Sequence, residues 1–189
     1  YRYDVLARFA PNARILFDSH SVPNTLTGYP LGVQMLYTFT FMAYGAVNDH
    51  LAGMVVAAFS GAMLLTTFAI GKIAFSQRTA WAAVLMLLSS PLFVDWSTSG
   101  YVDVPVGVYH GLTFMCAFIW LQNGQRRWAL FAGVMTGLAI WTKQSALVLI
   151  PALALVPLLR IQSHSNKHWE IKNGLFAVGT ALLISGPWY

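Results

Sequence analysis

Long apolar runs separated by short polar breaks fill the chain from residue 51 onward. They are Leu51 to Gly71, Thr79 to Ser97, Val104 to Leu121, Trp128 to Thr142, Ser145 to Leu159 and Gly174 to Tyr189. A helix that crosses a bilayer needs about 20 mostly apolar residues, with roughly 17 to 25 tolerated, so these runs predict about six spanning helices. The fourth and fifth are short for full spans and predict a thinned or tilted hairpin turning at Lys143 and Gln144. Helices are the spanning option here, because an open sheet in lipid leaves backbone N–H and C=O groups unsatisfied. The expected fold is therefore all-α, a polytopic membrane helical bundle over residues 51–189 with juxtamembrane helices on the outer face.

Residues 1–50 are different in kind and read as a first outer loop. In YRYDVLARFAPNARIL, Val5, Leu6, Phe9 and Ala10 alternate with Asp4 and Arg8, a short amphipathic helix broken by Pro11. FDSHSVPNTLTGYP is rich in turn formers. A further apolar stretch, Leu31 to Val47, is interrupted by Gln34, Tyr37, Thr38, Thr40 and Tyr44 and follows Pro30. Its pattern fits an amphipathic helix along the outer interface and equally a span. No repeat of 20 to 50 residues and no low-complexity tract is present.

Composition sharpens this picture. The chain is 57% hydrophobic and 9% charged with a mean hydropathy of +0.60, against about 25% charged in a soluble globular domain. It is a membrane protein. Its net charge of +5 does not indicate a nucleic-acid partner, because the basic residues are scattered singly between apolar runs rather than gathered on one solvated face. Cytoplasmic loops accumulate such residues. Placing Lys72 and Arg78 inside also places Arg126, Arg127, Arg160, Lys167 and Lys172 inside with one acid, Glu170. The outside then receives Asp49, Asp95 and Asp103 with only Lys143, so Asp103 starts a helix at the outer face. Cys116 falls mid-helix, the only cysteine, and reads as core packing. The opening at Tyr1 and the stop inside an apolar run at Tyr189 suggest a piece of a longer protein.

Few residues offer chemistry. A charge at the centre of a membrane helix costs roughly 2.5 to 3.5 kcal/mol on insertion scales, so Asp103 is either placed at an interface or kept for a purpose. Asp103, Gly107 and His110 share a helix face, with His110 about 10 Å deeper, and an ionisable pair on such a face is a functional candidate. Capping of the helix by Asp103 near Pro105 is the bland reading, and both can hold. Lys143 in GLAIWTKQSALVLIP can hold a phosphate by charge-assisted hydrogen bonds or simply snorkel to the interface. Gly107 with Gly111, and Gly133 with Gly137, have the spacing of closely packed helices. His164 and His168 read as a solvated loop. Asp4, Asp18 and His20 are outer-loop candidates for a base or a divalent-metal ligand, with solvated or capping roles as the alternative.

The segments YPLGVQMLY, SSPLFVDWSTSGYVDVPVGVY, RRWALFAGVMTGLAIWTKQSALVLIP and SGPWY, in that order, resemble the polytopic glycosyltransferases of the C fold. The branch is the protein O-mannosyltransferase and aminoarabinose transferase type, glycosyltransferase family 39 and its bacterial relatives. The resemblance implies a transferase that takes a sugar from a polyprenyl-phosphate carrier on the outer side of a membrane, here a bacterial plasma membrane. It implies that Tyr29, Pro30 and Leu31 form the loop-closing motif, that Asp103 is the second carboxylate, and that Lys143 is the lysine of a Thr-Lys motif. It also favours the interfacial position of Leu31 to Val47. Tyr29 replaces the His or Lys frequent before the proline, so contact with phosphate there passes to a neutral hydroxyl. Tyr1 or Tyr3 matches the tyrosine that follows the family's loop acid. This places the principal carboxylate upstream of the chain, and its role is not transferred to Asp4.

Sugar transfer fits these parts. The bond from sugar to phosphate breaks, negative charge develops on the lipid phosphate, and the acceptor hydroxyl loses a proton. A carboxylate base and a cation or divalent metal at the phosphate meet those needs. The expected catalytic residue is Asp103, with Tyr29, Pro30, Lys143 and His110 binding substrate. A transporter or lipid-flippase fragment is the alternative, motivated by Asp103, His110 and Lys143, although transporters place such charges near the midplane with internal repeats. A structural subunit is a third reading.

Overall fold

The computed structural model describes residues 8–23, 26, 29–163 and 167–188, and among them all regular structure is helical. In chain order the helices are α1 (Ala10–Ser19), α2 (Gly32–Tyr44), α3 (Asp49–Ala74), α4 (Gln77–Leu88), α5 (Pro91–Ser99), α6 (Asp103–Asn123), α7 (Arg126–Thr142), α8 (Leu149–Ser163) and α9 (Lys167–Ser185). Short 3₁₀ segments cover Gln144–Val148 and Gly186–Trp188. The chain forms two compact units that divide within α6, between Val108 and Tyr109. Tyr1, Tyr3, Asp4 and His164 lie outside the described residues.

In the first unit α3 has 26 residues, started by Asn48, whose side chain accepts from the backbone N–H groups of His50 and Leu51. Ser76 caps α4 in the same way, accepting from the Thr79 N–H. The two helices form a tight hairpin. A Cβ added at Gly71 would fall 2.7 Å from Ala80 Cα, and Phe68 packs on Trp81 with ring centroids 4.8 Å apart.

The continuous run expected from Thr79 to Ser97 is instead two helices, α4 and α5, bent by 69°. The cause is local. Pro91 has no N–H to continue the α4 ladder, and Ser90 starts a new helix by accepting from the Phe93 N–H. After the bend α5 runs back along the first half of α3, where Ser60 Oγ reaches the Ser97 carbonyl at 3.3 Å. The start of α6 is thereby returned to the end of the unit where α3 begins.

At 13 residues α2 is about 20 Å long, short of the roughly 30 Å hydrocarbon layer. Its buried face, Val33, Tyr37 and Phe41, meets Phe9 and Ala13 of the arm, Ala52 and Val56 in the first two turns of α3, and Val102 just before α6. Of the alternatives for Leu31 to Val47, the geometry lacks the length of a straight span.

In the second unit α7 and α9 run parallel and in close contact. A Cβ at Gly133 would strike the Ala177 carbonyl, and one at Gly137 would lie 2.6 Å from Ile184 Cβ. The spacing GxxxG therefore marks a packing face, as the sequence suggests. α8 is antiparallel to α9, with Pro157 against Gly174 and Arg160 against Glu170. The chain turns at Lys143, which is extended, and the 3₁₀ turn after it lengthens the fifth run to an 18-residue segment.

Among the described residues three helices are long and apolar enough to cross a membrane: Asp49–Ala74, Asp103–Asn123 and Gln144–Ile161. The bent pair α4 and α5 makes a fourth if it counts as one span. The other two apolar runs form α7, of 17 residues, and α9, whose first turns carry Lys167, Glu170 and Lys172.

Candidate functional site

The site is built around one phenylalanine. Phe9, only 2% exposed, stands edge-on to two tyrosines, Tyr29 at 5.6 Å and Tyr101 at 6.5 Å between ring centroids. Tyr29 belongs to the loop that leads into α2, and Tyr101 lies two residues before Asp103. Edge-to-face ring pairs at these separations add stabilisation beyond their buried area. Trp96 of α5 stacks on Tyr101 at 6.2 Å, joining a fourth element to the cluster.

Three further contacts hold the frame. Pro30 and Leu31 are buried as the chain enters α2. Thr38 Oγ1 donates to the Ala13 carbonyl at 3.0 Å, fastening α2 to α1. Tyr37 Oη donates to the Gly100 carbonyl at 3.2 Å, fastening α2 to the turn that ends α5. Gly100 has φ +80°, a conformation that costs an L side chain, so this turn is suited to glycine. Asp103 then opens α6, half-buried, at the edge of the cluster.

Two features escape the sequence pattern. The Arg8 guanidinium lies over the Tyr29 ring at 5.8 Å, which puts a cation beside the loop motif although residue 29 itself is neutral. The two lie 21 positions apart, and the sequence between them carries no signal of that contact. Gln34, in YPLGVQMLY, is fully buried, and neither side-chain amide atom has a hydrogen-bond partner among the described residues. A polar residue on the same helical face as Tyr37 and Thr38 was the available sign.

Beside the Gly100 turn a groove of about 300 Å³ opens between α3 and α5. Gly53, Val56 and Ala57 form one wall, with Ser97, Thr98 and Gly100 opposite.

The first unit thus brings Tyr29, Pro30 and the start of the Asp103 helix together. His110 is half-buried in the part of α6 that belongs to the second unit, and Lys143 is half-buried at the break after α7 in that unit. Asp18 is exposed and faces Arg14 at 3.9 Å, and His20 ends α1 against Phe17, so both fit the solvated and capping alternatives. Among the described residues no three His, Cys, Asp or Glu side chains gather as metal ligands.

Comparison with known proteins agrees with the motif order. The family model described as dolichyl-phosphate-mannose-protein mannosyltransferase matches residues 29–189. No curated protein and no solved structure matches the chain.

Proposed function

The chain belongs to the dolichyl-phosphate-mannose-protein mannosyltransferase family, membrane glycosyltransferases, and from that premise we propose that it moves mannose from a polyprenyl-phosphate carrier to an acceptor hydroxyl at the outer face of the membrane. The observation that supports this reading is the Phe9 cluster, in which Tyr29 and Tyr101 flank one ring and so join the loop motif to the helix that begins at Asp103.

In the proposed reaction the acceptor oxygen bonds to the anomeric carbon as the bond from that carbon to the phosphate oxygen breaks. The electron pair leaves with the polyprenyl phosphate. The acceptor proton passes to a carboxylate, and Asp103, half-buried in the first turn of α6, is the residue of this chain proposed to receive it. Arg8, beside Tyr29, is proposed to offset the charge that develops on the phosphate, and Pro30 holds Tyr29 in place. Lys143 is proposed as a donor contact on the strength of the Thr-Lys motif match, and His110 on its place along the α6 face that begins at Asp103. The carrier's isoprenoid chain does not leave lipid. The groove walled by Gly53, Val56 and Ala57 offers it an apolar surface beside the Gly100 turn.

The test is transfer from radiolabelled polyprenyl-phosphate mannose by the full-length protein in sealed vesicles of known orientation. Label should enter an acceptor presented on the outer side. Transfer that persists undiminished in Asp103→Asn, or that requires acceptor on the inner side, overturns the reading.

A further inference from the structure

The second unit carries positive charge that it cannot neutralise itself. From residue 109 to the end the sequence holds Arg126, Arg127, Lys143, Arg160, Lys167 and Lys172 against a single acid, Glu170. That acid is already engaged. Arg160 Nε donates to Glu170 Oε1 at 2.8 Å, and the two side chains are 6% and 5% exposed. Arg160 also donates to the carbonyls of Trp120 and Leu121 at the end of α6.

The remaining cations near Glu170 are exposed and lie at one end of the unit, because α7 and α9 are parallel. Arg126 starts α7, and its guanidinium lies 4.1 Å from the centroid of the Phe176 ring of α9. Phe176 is one turn beyond Lys172 and two beyond His168 and Trp169, so these residues form one stripe. Arg126, over the Phe176 ring, and Lys172, one turn before Phe176 on the same face, therefore flank one patch, with Glu170 buried. The positive ends of both helix dipoles point to the same place. Such a patch draws an anion from outside the protein.

The surroundings select the anion. Trp169 is 46% exposed, Ile171 46% and Leu175 69%, and Phe131 on α7 is also open. An apolar belt beginning within a turn of the cations, with an indole at its edge, matches the boundary between headgroups and acyl chains. We propose that Arg126 and Lys172, bordered by Trp169 and Phe176, bind the phosphate of an anionic phospholipid headgroup. The site is independent of the sugar-transfer reading and lies in the second unit.

The full-length protein is reconstituted in nanodiscs of phosphatidylcholine with one fifth phosphatidylglycerol, re-extracted, and the retained lipid counted by native mass spectrometry. Phosphatidylglycerol should be enriched about threefold over its share in the disc. The variant Arg126→Gln with Lys172→Gln should fall to that share, Arg126→Lys with Lys172→Arg should keep the enrichment, and Arg78→Gln should leave it unchanged. No enrichment in the wild type, or equal enrichment in the neutralised variant, overturns the proposal. Displacement of the retained lipid by millimolar inorganic phosphate also overturns it, since the site then reads a soluble anion.

Discussion

Tyr37 Oη donates to the carbonyl of Gly100 across 3.2 Å, a bond that spans 63 positions of sequence and ties the middle of α2 to the turn three residues before Asp103. Tyr37→Phe keeps the ring in its buried cluster and removes the hydroxyl that makes this bond. It should cost about 0.5–1.5 kcal/mol, read as a lower melting temperature in detergent. Gly100→Ala should cost roughly 1–2 kcal/mol through its positive φ, and should lower kcat further by moving the start of α6.

Asp103→Asn in the full-length protein should lower kcat for sugar transfer by about 10²–10⁴-fold, the range of a positioned general acid or base. Yield and melting temperature should remain close to wild type, because the side chain stands at the edge of the cluster rather than inside it. Retained activity would remove Asp103 from the proposed chemistry.

Arg8→Gln should raise KM for the lipid-phosphate donor by roughly 10- to 100-fold, the equivalent of about 1.5–3 kcal/mol for a hydrogen bond to a charged group. Arg8→Lys should recover most of it. A drop in melting temperature without a change in KM would make Arg8 a packing residue for Tyr29 instead.

The buried pair of Arg160 and Glu170 gives a stability prediction. Glu170→Gln leaves the Arg160 charge buried without its carboxylate and should destabilise by about 3–5 kcal/mol. Arg160→Met with Glu170→Met together should be milder than either single change. Denaturation of the single and double variants in one detergent distinguishes these outcomes.

Two glycines separate propensity from packing. Nothing lies within 4 Å of a Cβ placed at Gly179, so Gly179→Ala should be neutral or stabilise by about 0.5–1 kcal/mol. At Gly137 the same methyl would meet Ile184 Cβ and the Ala181 carbonyl, so Gly137→Ala should lower the melting temperature. Equal behaviour of the two would show that α7 and α9 do not pack as described.

Much of the fold was legible in the sequence. The apolar runs gave the helices, and Gly133 with Gly137 gave a packing face, because each is a signal written within a few turns of chain. The bend between α4 and α5 was also written locally, in Ser89, Ser90 and Pro91, but a count of apolar residues overrides such a break. For the candidate site, Tyr29, Pro30 and Asp103 were readable from motif order. Arg8 and Gln34 were not, since a guanidinium over a distant ring and a buried amide depend on which helix arrives beside them.

By itself the sequence determined that this chain is an α-helical membrane protein of the mannosyltransferase family, for hydrophobic run length and ordered motifs are properties of the chain read end to end. Only the tertiary structure decided that α2 stops after 13 residues across the first turns of α3, that Phe9 draws Tyr29 and Tyr101 to one place, and that α7 and α9 lie parallel with Arg126 over the Phe176 ring. The reason is physical. Lipid sets how long an apolar segment must be, and any partner can satisfy that demand. Which partner it finds is settled by ring edges, a missing Cβ and single hydrogen bonds between residues far apart in the chain.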